Sequence, residues 1–429
     1  MNETNPGRPH LLPARPDLPA ATTARLADDS ARFALEGLPA DLPAYLLDAY
    51  GLDVSARYAG LPVSNPWGKG SGQLSMRASQ VQDAADAGLG FVVLKTVIAQ
   101  DAEGHQSMGA WAVKEARMVA EPIRGRQTGA RGWTVTWKGR GWWQPFDDYL
   151  ALVRESVAIG LGRGMVVAPS VKYHLPAPGE TSWRVAEYRD TTRALVDACR
   201  AAGLTGPIPL EKDFSPTLAG SDRAGARETI LDWLARVPGL IREGAAPDSV
   251  RLGLKLFNAL DTDDFQRRML GAVHVSDGAD FLIYGNRLFD PDREFDGKKG
   301  IAYGGPDLSD RNLAMLSALR ADQAAGLTPP TPIEISATGD ISSGRLAVEY
   351  ALRGCTSFQL HTFFQLPDEA YTMRQGPKLS RALHQLTFDP LDGFVAWLLH
   401  ASGRLGTKPR FLDVAEVGAR AALTSADLA

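Results

Sequence analysis

The sequence predicts an α/β fold, a closed (β/α)8 TIM barrel with an N-terminal helical extension and long lid loops. Three observations carry that reading. Short apolar runs alternate with amphipathic stretches along most of the chain, the pattern of parallel βαβ units. Eight such runs occur, whereas an open doubly wound sheet usually stops at five or six strands. Two connections are far longer than a barrel linker needs, and such loops sit on the catalytic face of barrels.

Composition bounds the function. The 429 residues are 44% hydrophobic and 22% charged, an ordinary globular balance. With 46 basic against 50 acidic side chains the net charge is −4, so nucleic acid is not an expected partner. Cys199 and Cys355 cannot hold an iron–sulfur cluster and do not form a disulfide framework. No apolar run reaches the ~18 residues of a membrane span. The first residues lack the apolar core of a secretory signal, so a cytoplasmic location is expected. The histidines show no metal-ligand spacing, so no metal site is expected.

Residues 1–55 read as a Pro-rich loose leader followed by a helical cap, with helices interrupted at Pro39 and Pro43. The polar face of that cap carries Asp28, Asp29, Glu36, Asp41 and Asp48, the wrong charge for a membrane surface. The barrel spans 56–390. Its strands are expected at 58–64, 90–96, 164–171, 207–213, 250–257, 279–284, 332–338 and 356–361. Helical periodicity appears near 75–87, 146–160, 184–202, 224–242, 261–273, 309–325, 344–353 and 378–386. The long loop at 97–145 contains WTVTW, whose alternation predicts a small hairpin on top of the barrel. The second, at 285–308, is rich in Gly and Asp. Residues 391–429 form an apolar helical extension that closes the barrel, packs on the cap, or meets a second copy in a homodimer.

A barrel presents its chemistry at the C-terminal ends of its strands. There the sequence offers Lys95-Thr96, Lys212, Lys255 inside GLKLF, Asn286-Arg287, Thr338-Gly339-Asp340 and His361-Thr362. A lysine in a strand run is costly to bury unless it meets an anion or does chemistry. ISATGDISSGR reads as a strand, a Gly turn and a helix start, which together suit a phosphate. Gly304-Gly305 adds a second bare backbone approach.

GLGFVVLKT, GLKLF, YGN, YGG and ISATGDISSGRLAVEYALRGCTSFQLHTFFQ resemble the dihydroorotate dehydrogenase family of FMN-dependent barrels, over roughly 56–390. The resemblance implies an FMN oxidoreductase that moves hydride between C6 of a dihydropyrimidine-like ring and flavin N5. It implies that Lys255 stands beside the pyrimidine end of the flavin. It also implies that Gly304, Gly305, Thr338, Gly339, His361 and Thr362 hold the phosphate end. Ser64 and Asn65 match a turn after strand one that lies on the ring. Lys95 and Thr96 match a pair that contacts flavin and substrate, and Lys69 in SNPWGK is the rival lysine. Ser215, in Ser215-Pro216-Thr217, matches the base that takes the C5 proton.

The substrate readers depart from the family. Asn286 is kept, but Lys212, Arg287 and Lys138 stand where neutral readers are expected. Lysine and arginine call for carboxylate or phosphate, so the expected substrate is anionic and pyrimidine-like, with dihydroorotate itself among the candidates. A second reading is a cofactor-free lyase or aldolase with Lys255 or Lys95 as Schiff base and a phosphorylated substrate. A third is a barrel that has lost chemistry and serves as a scaffold. No Rossmann GxGxxG follows a strand, so no NAD(P) domain is expected.

Overall fold

A computed structural model describes residues 9–177, 179–214, 223–258, 262–275, 278–295, 297–329 and 333–429, with backbone alone at 115–117, 137–140, 223–225 and 298. The barrel strands are β1 (Trp67–Lys69), β2 (Phe91–Val93), β3 (Val166–Ala168 continuing as Ser170–Lys172), β4 (Ile208–Asp213), β5 (Val250–Phe257), β6 (Phe281–Asn286), β7 (Glu334–Thr338) and β8 (Cys355–Leu360). All neighbours are parallel, in the order β3-β4-β5-β6-β7-β8-β1-β2-β3. Pro169 splits β3, and the two halves close the barrel. Leu94 N–H donates to Ala168 O at 2.8 Å on one side, and Glu211 N–H donates to Pro169 O at 3.0 Å on the other.

Strand one is a correction. The run 58–64 is an antiparallel hairpin, with Ala56–Tyr58 paired to Leu61–Val63. Ala59 and Gly60 both adopt positive φ (55° and 73°), the backbone of a two-residue hairpin turn. The barrel strand begins only at Trp67.

The hairpin plugs the barrel floor. Tyr58 stacks on Phe91 with centroids 4.0 Å apart and meets Phe281 edge-on at 5.4 Å. Two strand glycines make room for those rings. A Cβ on Gly68 or Gly253 would stand 2.3 Å from Phe91 or Phe281. Two residues beyond Gly253 on the same strand face comes Lys255, so the interior rises from an aromatic floor through a polar layer to the mouth.

Helices α3 (Ala78–Asp86), α4 (Phe146–Arg163), α5 (Val185–Ala201), α6 (Arg223–Arg242), α7 (Asp263–Val275), α8 (Pro306–Ala324) and α9 (Gly344–Ala351) form the outer layer. The cap is α1 (Ala20–Glu36) and α2 (Leu42–Tyr50), with Pro43 in the first turn of α2. It packs on α10 (Lys378–Phe388) through Phe33 and Phe388, with centroids 5.0 Å apart. The extension, α11 (Phe394–Leu405) and α12 (Phe411–Arg420), covers the outer face of β1 and β8 with Phe394 and Phe411 against Trp67 and Phe358. No helix among the described residues is long and apolar enough to cross a membrane.

Residues 9–17 form a strap over α8, α9 and α11. His10 Nε2 lies 2.9 Å from the Asp310 carboxylate, and the Leu11 and Leu12 N–H groups donate to Glu349 at 3.0 and 2.8 Å. Hydrogen bonding to Asp310 and then Glu349 raises the His10 imidazole to about 9. Its folded value thus exceeds its unfolded value near 6.5, so its stabilisation is complete below pH ~6.5 and is lost as pH rises through about 9. Limited proteolysis within the strap is therefore expected to accelerate above pH 9 in the native protein. In the His10→Ala variant it should be fast at every pH. A cleavage rate that ignores pH in the native protein would sink this expectation.

Candidate active site

A cavity opens at the C-terminal end of the barrel, with about 750 Å³ of space between its walls once the open solvent at its mouth is counted. Its wall includes Gly70, Ser71, Trp133, Lys255, Asn286, Arg287, Gly304, Gly305, Thr338, Gly339, Asp340, Ser342, Gln359, His361 and Thr362. Two hairpins roof it. The first pairs Val113–Arg124 with Arg131–Arg140, as WTVTW predicts. The second pairs Leu288–Phe295 with Lys298–Tyr303, inside a segment read only as a long loop. They dock on each other through ion pairs of Arg126 with Asp290 and Arg293 with Glu121.

The cavity floor is the polar layer. Lys255 Nζ donates to Gln359 Oε1 at 3.4 Å, Gln359 Nε2 donates to the Glu211 carboxylate, and Tyr58 OH donates to the same oxygen at 2.8 Å. Burial raises the Glu211 carboxyl, and the Lys255 charge works against that rise. The sequence reading singled out neither Glu211 nor Gln359.

Two turns line the wall. After β6 the chain runs through Asn286 and Arg287, whose guanidinium donates to Val135 O at 2.8 Å. Burial pulls that guanidinium down from its ordinary range, but a guanidinium keeps its charge in proteins. Gly304 N–H donates to Thr134 Oγ1 at 3.0 Å, and Gly305 at φ 95° opens α8. After β7, Gly339 at φ 105° lets the chain turn against its neighbours. A Cβ there would stand 2.6 Å from Asn312 Nδ2 and 2.8 Å from Gly285 O. Asn312 fixes the position by donating to Gly285 O at 3.0 Å and Thr338 O at 3.1 Å. Tyr350 OH adds a bond to Gly339 O at 2.8 Å. Ser343 caps α9, its side chain accepting from Leu346 N–H at 3.1 Å.

His361 is half-buried, its imidazole within 2.8 Å of Gln365 Nε2. Burial first, then Arg287, Lys95, Lys255 and Lys69, push it well below its ordinary value, so it is neutral. Lys255 and Arg287 thus share the cavity wall with one acid, Asp340, and Lys95 and Lys69 lie outside that wall.

The expected site residues separate into groups. Lys255, Asn286, Arg287, Gly304, Gly305, Thr338, Gly339, His361 and Thr362 share the cavity. Thr96 is one step behind the wall, its hydroxyl 2.9 Å from that of Ser71 and 3.0 Å from that of Ser170. Lys95 is buried beside it at the end of β2. Lys69 points away from the barrel interior and donates to Gln80 O of α3 at 2.7 Å, where burial lowers its amine to about 8. Lys212 also lies on the outward face, under the Phe214 ring at 4.7 Å and bonded to Asp213 O at 3.0 Å.

Ser64 and Asn65 are a correction that follows from strand one. They precede β1, at the end of the barrel opposite the cavity, where Asn65 Nδ2 donates to Gly88 O at 2.7 Å. The turn that does follow β1 is Gly70-Ser71-Gly72, a Gly-rich signal visible in the sequence once WGK is taken as the strand. Ser215 and the Lys138 side chain lie outside the described residues. Among the described residues, Asp101, Glu103 and His105 bring ligand-type atoms within 4.8 Å of one another. Asp101 there accepts the backbone N–H groups of Glu103 and His105, which accounts for the cluster as a loop turn.

No protein-family model matches the chain, and no curated protein matches it. Among solved structures it is similar to DHODH from Eimeria tenella in complex with ferulenol, at 17% identity and a TM-score of 0.53. The match covers 96% of this chain and 98% of that one. The likeness establishes a shared barrel fold along essentially the whole length.

Proposed function

We propose that the chain is an FMN-dependent oxidoreductase of the dihydroorotate dehydrogenase type, acting on the CH–CH bond of an anionic, pyrimidine-like small molecule. The supporting observation is that a buried strand lysine and two glycine turns at helix starts share one cavity, on a fold shared with DHODH. The residues suit the cofactor. A Cβ on Gly304 would meet nothing closer than 3.9 Å, so the glycine leaves open space in the cavity wall rather than relieving a clash, with its own N–H taken by Thr134. Gly304, Gly305, Thr338, Gly339 and Thr362 would hold the phosphate end, and Lys255 the pyrimidine end.

Bound FMN would supply hydride transfer at ring N5. The chain supplies the rest. Lys255, bonded to Gln359, would offer a cation to the ring of a bound flavin and favour its reduced, anionic form. Arg287 and Asn286 orient an anionic substrate edge. The roof hairpins exclude water. Ser215 is the proposed base for the substrate C5 proton. A cytoplasmic homodimer is part of the same reading.

The purified protein is expected to be yellow, with the visible bands of oxidised flavin, and to release FMN on denaturation. A colourless protein that takes up no added FMN overturns the reading. Borohydride trapping of a substrate on Lys255 or Lys95 would then mark the Schiff-base chemistry instead.

A further inference from the structure

Asp340 is an unexpected wall for an anion site. Its carboxylate is half-buried in the cavity lining and accepts from Ser309 Oγ at 3.2 Å. Among the described residues no basic side chain lies within ion-pair distance of it. It also sits at φ 51°, directly after Gly339, in the left-handed region where glycine is free of strain.

We infer that Asp340 makes phosphate capture in this cavity proton-linked: the phosphate end of the ligand is accepted only with the Asp340 carboxyl neutral and donating to it. The inference rests on the reading of the cavity as an FMN site. The logic is electrostatic. Two anions held against one half-buried wall repel unless a cation or a proton lies between them. A neutral carboxyl has an O–H to donate, whereas a carboxylate only accepts.

The charged groups around Asp340 agree. From α8 come Asp307, Asp310 and the Ser309 hydroxyl; from α9, the Tyr350 phenol; from the strap, His10, which is bonded to Asp310. Across the cavity stand Lys255, Arg287 and His361. Burial first, relieved in part by Ser309 and reinforced by Asp310 and Asp307, lifts the Asp340 carboxyl to about 8. Tyr350 is raised well above its ordinary value, His361 is neutral, and Arg287 stays charged, so none of these changes state near pH 8; Lys69, lowered to about 8, does change there, but its amine is bonded to Gln80 O outside the cavity wall. His10 does change near 9, but one shell out. A phosphate monoester is fully ionised above pH ~7, so the ligand itself contributes no proton there.

The test is FMN and riboflavin binding to the apoprotein from pH 7 to 9.5, read by flavin fluorescence. Calorimetry in two buffers of different ionisation enthalpy counts the protons taken up. For the native protein, FMN affinity is expected to fall about 30-fold across that range, with proton uptake approaching one per FMN at the upper end. Riboflavin, which lacks the phosphate, should show no such slope. Asp340→Asn should bind FMN with less than about a threefold change over the range. The proton count uses the native protein, so a variant that folds poorly does not remove the test. FMN binding that is flat with pH, or a slope that survives in Asp340→Asn, overturns the role of Asp340 and leaves the FMN reading standing. Failure of both flavins to bind at any pH overturns both.

Discussion

Lys255→Met is expected to lower the midpoint potential of bound FMN by roughly 30–60 mV. The figure follows from a hydrogen bond to a charged group worth ~1.5–3 kcal/mol, converted for a two-electron couple. Reduction of the flavin by dihydroorotate, or by whichever dihydropyrimidine reduces the native protein, should slow by about 10²–10³-fold, the usual cost of deleting one preorganised charge stabiliser. The variant is a fair test because the scaffold around it survives. Methionine matches the length of the lysine stem, and Gln359 keeps its bond to Glu211, which keeps its bond to Tyr58. Lys255→Arg retains the charge and should recover most of the potential while remaining slow, since the fork of a guanidinium does not fit a lysine's place. An unchanged potential in Lys255→Met would remove the lysine from the ring and the strongest support from the flavin assignment.

The same lysine shows what the sequence could and could not reveal. Lys255 sits in a long apolar strand, and such runs located β2 through β8 to within a few residues. β1 escaped because Trp67-Gly68-Lys69 is three residues with one glycine and one charge, while YAGLPVS ahead of it mimics a strand. The glycine is there because Phe91 fills the space its side chain would take, a long-range fact no local pattern carries. The error moved the expected flavin turn to Ser64-Asn65 and hid Gly70 and Ser71. Lys69 and Lys212 illustrate a second limit. Barrel strands are buried on both faces, so an apolar run does not say which residues point inward. Glu211 and Lys212 are adjacent, both buried, and on opposite faces. The glycine turns were legible because the backbone itself demands the residue: Gly305 and Gly339 both adopt positive φ. Asp340 was visible as a letter, but its place in the cavity wall beside Ser309 was not.

Glu349→Ala is expected to be the costliest substitution for stability, although Glu349 never touches the cavity. Its side chain and that of Arg353 are 0% and 1% exposed and pair at 2.9 Å. Arg353 also donates to Leu313 O at 3.0 Å, Ser317 Oγ at 2.8 Å and Glu349 O at 2.7 Å. Burial opposes the Glu349 charge, but His10, Arg353 and the N–H groups of Leu11 and Leu12 hold its carboxyl down to about 2. Removing the carboxylate strands a buried guanidinium and unties the strap, at a cost of about 3–5 kcal/mol. With an unfolding entropy of ~2.1 cal/mol/K per residue over the whole chain, that is a fall in Tm of about 3–5 °C. Because the folded value is depressed, this stabilisation is present above pH ~4.5 and is lost as pH falls toward 2. The Tm gap between native protein and Glu349→Gln should therefore close in acid, and a gap independent of pH would refute the assignment. The site should feel the change as well. The next residue, Tyr350, holds Gly339 O at 2.8 Å, so an unmoored α9 loosens the turn that lines the cavity. FMN affinity in Glu349→Ala should fall with stability, which a purely local salt bridge would not produce.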